Sequence, residues 1–118
     1  MTGRILQNSN VIEVRQGDSF TIRMQFKKAG EAINLVGSKV TMQVRKEDGT
    51  VLLSKLATEV DIAVGKFAIV LTPSDTSIPV GDYDTDIQIQ MSDGSIHTIF
   101  PADVNRVGVF RITEQVTR

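Results

Sequence analysis

The sequence has no cysteine and no tryptophan, and only one histidine and one tyrosine in 118 residues. Without cysteine there is no disulfide, no thiolate metal site and no cysteine nucleophile. A single histidine, His97, leaves one candidate for imidazole base chemistry. The lone tyrosine, Tyr83, leaves little aromatic platform for stacking a sugar. An excess of one charge is also missing. Thirteen Lys and Arg stand against 14 Asp and Glu, a formal net charge of −1, too even a balance to draw in nucleic acid or an anionic membrane. No apolar run approaches the ~20 residues that a spanning helix needs. The opening Met1–Asn10 is too polar for the apolar region of a secretory signal. These absences predict a chain that stays in the cytoplasm where it is made, or leaves inside a larger particle.

What is present is the composition of a globular domain, 41% hydrophobic and 23% charged. A chain of this length buries roughly two-thirds of its unfolded surface, so it needs no metal or disulfide to hold together. The dominant pattern is alternation with a period of two. Phe20, Ile22, Met24 and Phe26 alternate with Thr21, Arg23 and Gln25. Val40, Met42 and Val44 alternate with Thr41, Gln43 and Arg45, and Phe67, Ile69 and Leu71 share one parity. Tyr83, Ile87, Ile89 and Met91 alternate with Asp84, Asp86, Gln88 and Gln90. Each run places apolar side chains on one face of a strand and polar ones on the other.

Turn residues fall between the runs: Gly17-Asp18, Ala29-Gly30, Asp48-Gly49, Val64-Gly65, Pro79-Val80-Gly81 and Asp93-Gly94. The two Asp-Gly pairs read as two-residue hairpins. The pattern predicts seven or eight strands, at about 11–15, 18–27, 38–46, 50–55, 66–72, 82–92, 95–100 and 104–113. Their spacing predicts an all-β, antiparallel β-sandwich forming one domain over 10–118, preceded by a flexible arm over 1–9. Helical character is confined to one turn at Thr72-Pro73-Ser74-Asp75-Thr76, where Thr72 is placed to cap and Pro73 to occupy the first helical position.

Few residues suggest chemistry. His97 and Ser95 lie two apart on one predicted strand face, with His97 on the parity opposite Ile96, Thr98 and Phe100. Ser95 adjoins a hairpin turn and has no nucleophile-elbow motif, so an exposed strand histidine is the plainer reading. Asp82, Asp84 and Asp86 project from one strand face. As a calcium loop the segment would need glycine at its sixth position and glutamate at its twelfth, where Ile87 and Asp93 stand. A solvated polar face, or a charged face that discourages edge pairing, accounts for the row more simply. Gly65-Lys66 lacks the rest of a phosphate loop. The only adjacent basic pairs, Lys27-Lys28 and Arg45-Lys46, flank turns. These observations predict no catalytic residue, no cofactor and no bound metal.

One ordered series has a family likeness. It runs from Gln16-Gly17-Asp18-Ser19-Phe20 through Ile33-Asn34-Leu35-Val36-Gly37, Val40-Thr41-Met42 and Asp48-Gly49-Thr50. It continues in Leu71-Thr72-Pro73-Ser74-Asp75-Thr76-Ser77-Ile78-Pro79-Val80-Gly81-Asp82-Tyr83-Asp84-Thr85-Asp86-Ile87-Gln88-Ile89, then Asp93-Gly94, Thr98 and Gly108-Val109-Phe110-Arg111-Ile112-Thr113. The series resembles the immunoglobulin-like domains of tailed-phage structural proteins. It is most similar to the N-terminal domain of baseplate upper proteins. The resemblance implies an immunoglobulin-like sandwich and attachment within a virion, and it carries over no catalytic residue. Baseplate upper proteins continue into a long receptor-binding region absent after Arg118, so receptor presentation is not implied.

The expectation is therefore a non-enzymatic virion part of a tail, baseplate or head decoration. It would dock on other virion proteins, form homo-oligomers, and lie in the virion or in the host cytoplasm during assembly. The alternative is a small glycan- or calcium-binding module using loops at 28–37, 56–65 and 101–106.

Overall fold

The computed structural model describes residues 3–5, 10–32, 34–101 and 107–114, with the backbone alone for 3–5, Lys28 and Ala32. The chain is an immunoglobulin-like β-sandwich. Its strands are β1 (Gly3–Ile5), β2 (Val11–Arg15), β3 (Phe20–Gln25), β4 (Lys27–Lys28), β5 (Glu31–Ala32) and β6 (Lys39–Arg45). They continue with β7 (Val51–Leu56), β8 (Thr58–Asp61), β9 (Lys66–Leu71), β10 (Gly81–Gln90), β11 (Ile96–Phe100) and β12 (Gly108–Thr113). The larger sheet has the order β1-β2-β12-β10-β6-β7, with β11 also on β10. The smaller has the order β3-β9-β8, and β4 and β5 form a separate two-stranded ribbon.

These orders are those of an immunoglobulin domain. In chain order β3, β8 and β9 take the places of strands B, D and E, while β6, β7, β10 and β12 take those of C, C′, F and G. Pairing is antiparallel except between β2 and β12, which run parallel, a departure from the all-antiparallel sheet that alternation suggested. β2 extends the large sheet beyond β12, between it and β1, and the chain then crosses to the small sheet as β3. Alternation says which face of a strand is buried but not which neighbour it pairs with, so this pair was not legible from it.

The core is the set of residues whose parity faces between the sheets. The large sheet contributes Ile12, Val14, Val40, Met42, Val44, Ile87, Ile89, Phe110 and Ile112; the small sheet contributes Ile22, Phe67, Ile69 and Leu71. Phe26 meets Phe67 edge-on, with ring centroids 5.8 Å apart. Tyr83 shares the inward parity and is half-buried. Its hydroxyl donates to the carbonyl of Pro79 (2.5 Å). A tyrosine at the start of the F strand bonding back to the preceding corner is a feature of the immunoglobulin fold. A strand forms within each of the eight expected spans, the second over Phe20–Gln25 and the last over Gly108–Thr113, with 104–106 outside the described residues. The ninth of four residues or more, β8, was missed because all four of its residues are exposed and no alternation marks it.

Two local expectations are corrected. The Asp-Gly hairpins have three-residue loops. Gly49 N–H bonds Lys46 O (2.8 Å) while Lys46 N–H bonds Thr50 O (2.9 Å), and the Met91–Ser95 turn repeats this with 2.9 and 2.8 Å. Gly49 and Gly94 both have φ of 91°. This is a type I turn completed by a left-handed glycine, with Asp48 and Asp93 each accepting from the N–H two residues on, at 2.9 Å. The parity of β11 is also reversed over its first residues. Ile96 and Thr98 pair with outward Gln90 and Gln88, and His97 pairs with inward Ile89. A bulge opposite Ile87 and Gln88 then returns Phe100 to the inner side, so one irregular residue undid an inference based on strict period two.

The Thr72–Thr76 turn forms as its residues suggest. Asp75 N–H donates to Thr72 Oγ1 (3.2 Å) and Thr72 N–H to Asp75 Oδ2 (2.8 Å), a reciprocal cap. Helical hydrogen bonding also forms a 3₁₀ turn at Ile62–Val64, where none was expected.

Candidate functional site

Of the residues singled out above for chemistry, Ser95, Asp82 and Asp86 each have a hydrogen-bond partner. Ser95 donates its hydroxyl to Asp93 Oδ1 (2.6 Å) within the hairpin turn. The Asp93 carboxyl is held below its usual range, first by that hydroxyl and then by the Ser95 N–H. His97 is exposed near the hairpin. The Ser95 hydroxyl is therefore engaged by the turn aspartate.

The acidic row is placed as its parity predicted, on the outer face of β10, but cross-strand partners answer it. Asp82 lies opposite Arg111 of β12, and Arg111 lies opposite Glu13 of β2. Arg111 Nε donates to Asp82 Oδ1 (3.0 Å), and Arg111 Nη1 stands 3.7 Å from Glu13 Oε2. The Asp82 carboxylate, with Glu13 assisting, raises the Arg111 guanidinium above its ordinary pKa. Asp84 lies opposite Arg45 and Asp86 opposite Gln43 of β6. Gln88 Nε2 donates to Asp86 Oδ2 (3.3 Å). The row is thus one line of a polar lattice across four strands, and among the described residues no group of three His, Cys, Asp or Glu converges as metal ligands would.

An open depression of about 360 Å³ is lined by Arg45, Asp84, Asp86, Pro101 and Val107 among others. Residues 102–106 of the third predicted loop lie outside the described residues. The other two loops do meet: Leu35 N–H bonds Ile62 O (3.0 Å). The contact is between backbone groups.

What the structure adds is an edge. β7 is the terminal strand of the large sheet, and β8 is a terminal strand of the small one. The chain passes from one to the other at Ala57, whose N–H bonds Val40 O (2.8 Å). Exposed apolar residues follow this crossing: Val51, Leu52, Leu56 and Val60. The signal was present in the consecutive Val51-Leu52-Leu53, since a strand with three apolar residues in a row must turn at least one outward.

The class that these features define is an immunoglobulin-like sandwich with a polar outer face and an open apolar edge. No protein-family model matches the sequence, and no curated protein matches it. Among solved structures, the N-terminal domain of phage TP901-1 ORF48 is similar, with a TM-score of 0.51 at 16% identity over 89% of this chain and 84% of that one. CopC from Methylosinus trichosporium OB3b has a TM-score of 0.48 at 13% identity over 87% of this chain and 83% of that one.

Proposed function

We propose that the chain is a docking domain of a tailed-phage or prophage virion, a part of tail, baseplate or head decoration, with no catalytic role. The observation that carries this reading is the likeness of fold to a phage protein's N-terminal domain across 89% of the chain. The polar lattice supports it, because charges that satisfy one another across strands are not arranged to receive a substrate. The open edge supports it as well, since an unpaired strand recruits other chains through its backbone. On this reading the partners are other virion proteins and further copies of the domain, not nucleic acid or membrane. The domain then resides in the virion, and in the host cytoplasm during assembly.

Mass spectrometry of purified tailed particles from the source culture tests the reading. The chain should be present at a fixed ratio to the major tail or head protein. Its absence from particles, while it is abundant in the lysate, would overturn the proposal.

A further inference from the structure

The chain carries two Asp-Gly pairs, Asp48-Gly49 and Asp93-Gly94, and this dipeptide is open to spontaneous backbone chemistry. The glycine N attacks the aspartate Cγ. An N–Cγ bond forms, the N–H proton and the carboxyl hydroxyl leave as water, and a five-membered succinimide closes. Water then adds at the main-chain carbonyl and breaks its bond to the glycine N, so the chain afterwards runs through Cγ as isoaspartate. No oxidant, metal or second protein is consumed. Glycine permits the attack because no side chain crowds its N. All four residues are exposed, so access of water does not limit the reaction.

Geometry limits it instead. The ring closes only when the aspartate Cβ and the glycine N eclipse one another about the Cα–C bond. Asp48 and Asp93 each hold the second central position of a type I turn, where ψ is about 0°. That value eclipses the glycine N with the aspartate's own N and leaves Cβ about a third of a turn away around the tetrahedral Cα. Rotating ψ into line would break the bond that closes each turn, Gly49 N–H to Lys46 O (2.8 Å) and Gly94 N–H to Met91 O (2.9 Å). The electrophile is held as well. Asp48 Oδ1 accepts from Thr50 N–H, and Asp93 Oδ1 from the N–H and hydroxyl of Ser95. The Thr50 N–H and the Ser95 hydroxyl are the leading causes that keep the two carboxyls below their usual range. Both therefore stay in the ionised form, which has no hydroxyl to expel.

We propose that Asp48 and Asp93 are latent isomerisation sites, locked while their turns are closed and converted to isoaspartate only from an opened turn. The β6–β7 and β10–β11 hairpins thereby record their own local opening, because each event leaves one extra main-chain carbon in a three-residue loop that has no room for it. The inference goes beyond the virion reading and does not depend on it.

The test incubates the full chain at neutral pH, folded in buffer and unfolded in guanidinium chloride. Isoaspartate at each site is quantified by peptide mapping with electron-transfer fragmentation. Both sites should convert at least about tenfold more slowly in the folded chain, since the reaction must await turn opening. Thr50→Pro then separates the turn from the rest of the fold. It removes the N–H that Asp48 accepts and leaves the Asp48-Gly49 pair intact. In a Thr50→Pro chain with wild-type circular dichroism, Asp48 should convert severalfold faster than in the folded wild type, while Asp93 stays unchanged as the internal control. The comparison of folded with unfolded wild type needs no variant. Equal rates in those two states would sink the proposal. So would a folded Thr50→Pro chain in which Asp48 converts no faster, or in which Asp93 accelerates equally.

Discussion

At the scale of single residues, the strongest local device is the Thr72–Asp75 cap, tied to β7 through Lys55. Burial tends to raise the Asp75 carboxyl, but the Lys55 ammonium and the Thr72 N–H and hydroxyl together hold it below its usual range. Asp75→Ala should cost about 1–2 kcal/mol, typical of a lost cap and its hydrogen bonds, measured by urea denaturation. Because the folded pKa is depressed, this stability is fully present above the unfolded value of roughly 3.9 and is lost as pH falls through the folded value. The difference between wild type and Asp75→Asn should therefore hold steady near pH 6 and shrink below about pH 4; a difference that grew in acid would refute the assignment. Gly108 makes a second residue-scale case. A Cβ there would stand 2.3 Å from Thr85 O and 3.1 Å from Pro101 Cδ, so Gly108→Ala should destabilise by about 1–3 kcal/mol through overpacking. Gly94→Ala meets nothing within 4 Å and should cost about 1–2 kcal/mol, through its φ of 91° alone.

At the scale of elements, β10 organises the molecule. It pairs with β6 along one side, and on the other with β12 over Gly81–Thr85 and with β11 over Ile87–Gln90. Its outer face carries the acidic row, and Arg111 spans Asp82 and Glu13 on its two neighbours. Because these groups are largely solvent-exposed, Arg111→Ala should change the urea midpoint only slightly, and less still in high salt. Millimolar calcium should leave the melting temperature unchanged, since Asp82 is already held by a guanidinium; a rise of several degrees that Asp84→Asn removes would show the row to be a metal site. The element scale is also where reading from sequence faltered. The alternation in β6 and β10 was plain, because the two strands keep strict register with each other from Asp84↔Arg45 to Gln90↔Lys39. In β11 a single bulge exchanged the faces, and β8 carries no alternation because neither of its faces is covered.

For the whole molecule, two unequal sheets close over one apolar layer, and Phe67 lies in it at 2% exposure beside Phe26. Phe67→Ala should destabilise by about 3–5 kcal/mol, the range for a buried phenylalanine, as followed by thermal melting. No disulfide or tryptophan fills the interior, where immunoglobulin domains of antibodies carry both. Met42, Phe67 and Phe110, all nearly or fully buried, occupy that space instead. No covalent cross-link therefore contributes to the stability, and reducing agent should leave the melting curve unmoved.

Period-two alternation, Asp-Gly turns and the Thr72-Pro73 cap were enough to establish an all-β chain, the approximate places of eight strands and most of the core, because each of these signals acts between residues close in sequence. The absence of cysteine and the even charge were likewise complete in the sequence. The parallel β2–β12 pair, the answering of Asp82 by Arg111 and the exposure of β7 at a sheet edge were decided only in three dimensions. Strand pairing depends on which distant segments compete for the same hydrogen bonds and the same apolar surface, and that competition is settled when the two sheets close.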